Sequence, residues 1–151
     1  MQLRELSQSD LPALLQIETE LNAFPWREQN FIDSLHAGHL SRCLIIDGDI
    51  AGFVIFSVAA SEATLLNISV AARYQGQGLG KQLLESMLEL AKIEGAEMCL
   101  LEVRQSNILA QGLYHAVGFY EVGRRDNYYP AKKGREDAIL MNLPLIEFTH
   151  M

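Results

Sequence analysis

Leu65-Leu66-Asn67-Ile68-Ser69-Val70, followed shortly by Gln75-Gly76-Gln77-Gly78-Leu79-Gly80-Lys81, is the stretch on which the reading of this chain turns. An apolar run gives way to glycines, and a long amphipathic pattern begins at once. Glycines let backbone N–H groups approach an anion with no Cβ in the way. The first turn of a helix adds unpaired donors and the positive end of its dipole. A pyrophosphate fits such a place. Two common phosphate motifs fail on spacing: a dinucleotide fingerprint needs its third glycine where Lys81 stands, and a P-loop needs Ser or Thr where Gln82 stands.

Downstream, Leu79, Leu83, Met87 and Ala91 recur at every fourth position with Leu84 and Leu88 beside them. This predicts a helix from Gly78 to Glu94 with one buried face, ended by Gly95. Met98 to Val103 reads as a buried strand, and Asn107 caps a helix running to Val117 before Gly118. Phe119 to Gly123 and Ala138 to Leu143 complete the strands. Upstream, Ala63 to Val70 leads into the glycines, while Cys43 to Ile46 and Ile50 to Val58 flank Asp47-Gly48, a hairpin signal. Leu3 to Leu6 reads as a short strand. Ser7 and Asp10 form a capping box for a helix ending near Asn22. After the aromatic turn Phe24-Pro25-Trp26, the residues Phe31, Ile32 and Leu35 mark a second helix stopped near Gly38. Strand, two helices, three strands, helix, strand, helix, two strands is not the regular alternation of a doubly wound nucleotide fold.

With 151 residues, 49% of them hydrophobic, and a mean hydropathy of +0.06, the chain is expected to form one domain over residues 1–151. Its 12 basic and 19 acidic side chains leave a net charge of −7. That balance argues against direct nucleic-acid binding and suits a basic peptide or amine as partner. Cys43 and Cys99 lie far apart with no second Cys or His nearby at ligand spacing, so neither a zinc site nor a disulfide is expected. His36, His39, His115 and His150 share no metal-ligand spacing, and surface or helix-end roles are expected for them. No leader pattern and no apolar run of the ~20 residues that cross a bilayer occurs, so a cytoplasmic monomer, away from membranes, is expected.

Chemistry-bearing residues concentrate in Leu100-Leu101-Glu102-Val103-Arg104-Gln105-Ser106-Asn107. Strand alternation puts Glu102 on the face of Met98 and Leu100, where a carboxylate is costly unless it has a partner or a task. Pairing with Arg104, on the same face, is one reading; accepting a proton from an incoming ammonium, directly or through water, is the other. Cys99 alternates away from Glu102 and makes a poor nucleophile. Asn107 and Tyr114, seven residues apart, return to nearly one azimuth after two helical turns. Tyr114 is either a half-buried core residue or a phenol that can protonate a departing thiolate. Phe24, Pro25 and Trp26, with Tyr128, Tyr129 and Pro130 in a late hairpin, either wall a slot for an extended peptide or close over core edges.

Glutamine or arginine, two residues, glycine, one residue, then glycine or alanine is met by Gln75, Gly78 and Gly80, and resembles the acyl-CoA-binding motif of the GCN5-related N-acetyltransferases (GNAT). With Asn67 to Val70, Leu101 to Arg104, Ser106-Asn107, Leu113-Tyr114, Gly118-Phe119, Asn127-Tyr128-Tyr129-Pro130 and Gly134-Arg135-Glu136-Asp137-Ala138, nearly the whole chain is similar to the bacterial ribosomal-protein-alanine N-acetyltransferases within them. The resemblance implies an α/β (α+β) GNAT fold, a single mixed, mostly antiparallel sheet of about seven strands flanked by about four helices. It also implies acetyl transfer from acetyl-CoA, as co-substrate and without a metal, to the N-terminal alanine of ribosomal protein S18. The alternative acceptors are a lysine, another protein N-terminus or a small amine. Carried onto matching positions, it makes Glu102 the proton acceptor and Tyr114 the proton donor. It assigns acetyl-CoA to Ile68, Ser69, Val70, Gly76, Gln77, Gly78, Leu79, Gly80, Lys81 and Asn107, and puts a backbone N–H near Val70 on the oxyanion. Gly112, inside the last helix, departs from what a helix interior favours.

Overall fold

The asymmetry that matters most lies in the sheet. In the computed structural model, which describes residues 1–146, seven strands lie in the order β1-β2-β3-β4-β5-β7-β6. These are β1 (Gln2–Arg4), β2 (Leu40–Ile46), β3 (Asp49–Ala59), β4 (Glu62–Val70), β5 (Met98–Arg104), β6 (Tyr120–Pro130) and β7 (Arg135–Pro144). All neighbours pair antiparallel except β4 and β5, which are parallel. The four helices are α1 (Leu11–Leu21), α2 (Glu28–His36), α3 (Leu79–Ile93) and α4 (Ile108–Val117).

Each helix follows from its local sequence. A 3-10 turn at Gln8–Asp10 leads into α1, with the Ser7 amide donating to Asp10 Oδ2 at 2.8 Å and Pro12 in the first turn. Gly95 (φ 91) stops α3, and Gly118 (φ 118) stops α4. At the β2–β3 hairpin both central residues have positive φ, Asp47 at 51° and Gly48 at 81°, the handedness that matches strand twist.

Side-chain alternation divides the core in two. Leu11, Leu14 and Ile17 of α1 and Phe31 of α2 pack with Phe53 and Ile55 on one face of the sheet. On the other face Leu83, Leu84, Met87 and Ala91 of α3 meet Val54, Phe56, Cys99 and Leu101. The first strand ends two residues earlier than its apolar pattern suggests, because Leu6 turns off the sheet: its amide donates to Ser41 Oγ at 3.0 Å and its side chain is buried. Strand β6 is the larger departure. It runs to Pro130, well past Gly123, with one irregularity at Val122 and a second, beyond Gly123, that the polar Asp126 and Asn127 help absorb. Asn127 takes a left-handed φ of 49°, and its amide donates to Asp137 Oδ1 at 2.9 Å. Polar bulge residues hide a strand from any test of alternation.

Candidate active site

Two strands that begin as partners part company, and the site lies between them. β4 and β5 pair only from Glu62↔Met98 to Thr64↔Leu100, although β4 continues along β3 to Val70 and β5 along β7 to Arg104. A bulge at Leu66 sits where they separate: β3 Phe56 opposes Leu65, while the adjoining Ile55 opposes Asn67. Beyond it the register decides which way the backbone faces. The Ala71 amide bonds to the Ala51 carbonyl at 2.8 Å, so Gly52 and Val70 form a non-hydrogen-bonded pair, as do Val54 and Ile68 two residues back. The N–H and C=O groups of Ile68 and Val70 therefore point into the gap, while those of Ser69 point to β3. Gln75 Nε2 fastens the Val70 carbonyl at 3.0 Å, which holds the glycine loop against the strand and leaves the Val70 N–H open.

The loop itself is built for an anion. Gly76 and Gly78 have φ of 79° and 78°, and Gly78 caps α3. Added Cβ atoms there would meet nothing within 4 Å, whereas one on Gly80 would touch Leu113 Cδ2 at 3.4 Å and Val70 Cγ2 at 3.8 Å. So α3 starts where strand, loop and α4 converge. Ile68, Ser69, Val70, Gly76, Gly78, Leu79, Gly80, Asn107 and Tyr114 all line the resulting cleft. Asn107 Oδ1 accepts from the Ala110 amide at 3.2 Å, so this residue both caps α4 and faces the cleft. The open strand edge fits an arm bearing amides, and the helix start fits a diphosphate. Acetyl-CoA has both.

Tyr114 reaches the cleft from α4 with 5% of its surface exposed, its ring edge-on to Phe119 at 5.9 Å. Burial, followed by the neighbouring Tyr129, pushes its phenol above the ordinary value. Across the gap a second groove carries Glu102 with Leu66, Leu100, Arg125, Tyr128 and Tyr129. The Tyr129 phenol is pushed up to about 12, first by burial and then by the charge of Glu102. Tyr129 thus neighbours both Glu102 and Tyr114. A carboxylate and a half-buried phenol share the second groove, and the buried Tyr114 phenol lies near enough to Tyr129 to feel it.

Residues 2–119 match the Acetyltransferase (GNAT) family. The chain belongs to that family. It is 45% identical over 140 residues to the [ribosomal protein bS18]-alanine N-acetyltransferase of Escherichia coli K12, covering 93% of this chain and 95% of that one. The crystal structure of the Escherichia coli ribosomal-protein-S18-alanine N-acetyltransferase superposes with a TM-score of 0.91 at 42% identity, covering 99% and 97% of the two chains. At 19% identity, a Salmonella typhimurium protein solved with its cofactor acetyl-CoA shares the fold, with a TM-score of 0.83 and coverage of 97% and 95%. The seven-stranded sheet with its four helices is the GNAT fold.

Other expectations fare differently inside this GNAT frame. Gln77 and Lys81 are exposed and are not among the residues lining the cleft. Glu102 does not pair with Arg104. Its Oε1 meets Arg125 Nε at 3.1 Å, because β6 continues past Gly123 and brings that guanidinium to the groove. Arg104 turns instead between the rings of Phe24 (5.1 Å) and Tyr129 (4.5 Å), donates to the Pro130 carbonyl at 2.7 Å and pairs with Glu136 at 3.4 Å. Phe24 and Tyr129 thus flank one cation, but Trp26 lies tilted against Phe31, ring centroids 5.0 Å apart, and packs against the core. His36 and His115 lie in the last turns of α2 and α4, Ser34 Oγ and His39 Nδ1 are 2.8 Å apart, and His150 lies outside the described residues. Cys43 and Cys99 are free and buried. No group of three or more His, Cys, Asp or Glu that could hold a metal occurs among the described residues, and none of their helices is long and apolar enough to cross a membrane. Gln75, Tyr74, Leu109 and Leu113 also line the cleft. Of these, Gln75 and Leu113 fall within the matched motifs.

Proposed function

We infer that this GNAT enzyme transfers the acetyl group of acetyl-CoA to the N-terminal alanine of ribosomal protein S18 by direct attack. One observation carries the reaction: β4 and β5 part so that a cleft suited to an activated thioester opens on one side of the gap and a groove bearing Glu102 on the other. Likeness to the Escherichia coli alanine acetyltransferase over 93% of the chain supports the acceptor. Acting on a ribosomal protein, the enzyme would work in the cytoplasm as a monomer.

In this reading the inward-facing groups of Ile68 and Val70 hold the amides of the pantetheine arm, and the amides from Gly76 to Lys81 hold the diphosphate. Asn107 lends its side chain. The acceptor amine arrives from the Glu102 groove as an ammonium, and Glu102 takes its proton directly or through water. The neutral amine attacks the thioester carbonyl and the Val70 N–H stabilises the oxyanion. As the C–S bond breaks, Tyr114 protonates the sulfur and is restored by the proton that the attacking nitrogen sheds on becoming an amide, and no acyl-enzyme forms.

Incubating the protein with acetyl-CoA and short peptides that differ only in their first residue tests this. Thiol release with preference for alanine is expected. Preference for an internal lysine or a free small amine would move the acceptor elsewhere, and no release with any amine would defeat the enzyme reading itself.

A further inference from the structure

Glu18, on α1, is 2% exposed, and no Lys, Arg or His lies within ion-pair distance of it among the described residues. Burying a charge without a counter-cation is expensive, and an apolar side chain would fill the same space at lower cost. What the carboxylate does, and an apolar residue does not, is accept from three donors at once. Its Oε2 takes Asn22 Nδ2 at 2.9 Å and the Trp26 amide at 3.0 Å, while Oε1 takes Asn67 Nδ2. Asn22 and Trp26 bracket the segment that carries Phe24 between α1 and α2. Asn67 lies on β4 directly after the bulge and directly before Ile68. One buried anion therefore ties the Phe24 segment to the strand whose backbone opens into the cofactor cleft.

We propose that Glu18 is a positioning residue for the acceptor, fastening residues 22–27 to β4 so that the slot for the incoming terminus keeps a fixed distance from the reactive gap. This rests on the reading of Phe24 as one wall of that slot. Glu18 itself touches neither substrate. Geometry, more than charge, carries the effect: in Glu18→Gln one carbonyl oxygen can still hold Asn22 and Trp26 while the Asn67 amide turns over to accept, whereas Glu18→Met offers no acceptor at all.

Steady-state kinetics of Glu18→Met and Glu18→Gln with acetyl-CoA and an alanine-first peptide test the proposal, with the emission of Trp26, the only tryptophan, as a readout of the segment that needs no substrate. For Glu18→Met the peptide KM is expected to rise on the order of tenfold, with acetyl-CoA affinity held within about twofold and the Trp26 emission shifted to the red. Glu18→Gln is expected to recover most of both changes. An unchanged peptide KM in Glu18→Met, or acetyl-CoA affinity falling in step with it, would overturn the proposal. Should Glu18→Met fail to fold, Asn22→Ala removes one donor from an exposed position that also borders the cofactor cleft; a rise of about threefold in peptide KM with acetyl-CoA affinity held is expected, and no rise, or an equal loss of acetyl-CoA affinity, counts against Glu18. If the wild-type protein ignores alanine peptides but acetylates another amine, the acceptor assignment fails alone, and the same variants measured with that amine still decide the role of Glu18.

Discussion

Protonation at single residues makes the sharpest demands on the site. Glu102→Gln is expected to lower kcat on the order of 10²-fold or more and to flatten the acid limb of the pH–rate profile; an unchanged profile would remove it as the base. Because burial raises the Tyr114 phenol, that group stays protonated through any ordinary assay range. Tyr114→Phe should therefore lower kcat on the order of 10²-fold at every pH while sparing acetyl-CoA affinity, as single-turnover measurements would show. Cys99→Ala should keep its activity, since burial pushes that thiol up to about 12 and leaves no thiolate near neutrality. Abolition without misfolding would contradict direct transfer. Glu102 and Tyr114 were legible in the sequence because alternation and helical spacing place them relative to their neighbours. Tyr129 was legible only as an aromatic near a hairpin, since its place in the Glu102 groove depends on a strand from the far edge of the sheet.

Among the elements, β4 and its neighbours set the cleft. Gly52 shows how tightly: a Cβ there would lie 2.8 Å from the Ser69 carbonyl oxygen and 2.9 Å from Leu83 Cδ1. Gly52→Ala should cost about 1–3 kcal/mol by denaturant unfolding. It should also weaken acetyl-CoA binding, because the pressure falls on the strand that opens into the cleft. Gly112 behaves oppositely. A Cβ there meets nothing within 4 Å, so Gly112→Ala should stabilise the chain by about 1 kcal/mol without loss of activity. Helix starts and stops followed from caps and glycines in the sequence. The parting of β4 from β5 did not, since each strand reads as an uninterrupted run and the break exists only between them.

At the scale of the whole molecule, segments far apart in sequence are held by a few polar groups. Arg104 joins Phe24, Tyr129 and Glu136 from three different segments. A lysine cannot lie flat between two rings, so Arg104→Lys should raise the peptide KM by about tenfold, close to the effect of Arg104→Met, with acetyl-CoA affinity unchanged by calorimetry. Stability against pH should follow the buried groups. Cys43, Cys99 and Tyr129 have folded-state values raised to about 11, 12 and 12 from ordinary values of 9.0, 9.0 and 10.0. Their contributions are intact below the ordinary values and lost as pH rises through the raised ones, so unfolding midpoints should fall between about pH 9 and 12. On the acid side, the hydrogen bond from Arg4 lowers Asp10 from 3.8, and its contribution holds above that value and is lost as pH falls through the lowered one. By itself the sequence determined the order of the elements, the glycine loop at the head of α3, and the acid and phenol worth testing, because these rest on spacing within one segment. Tertiary structure alone decided that Arg125 answers Glu102, that Arg104 spans two aromatic walls and that Glu18 anchors the segment between α1 and α2. Those contacts join residues whose separation along the chain carries no periodic signal, and only packing brings them within reach.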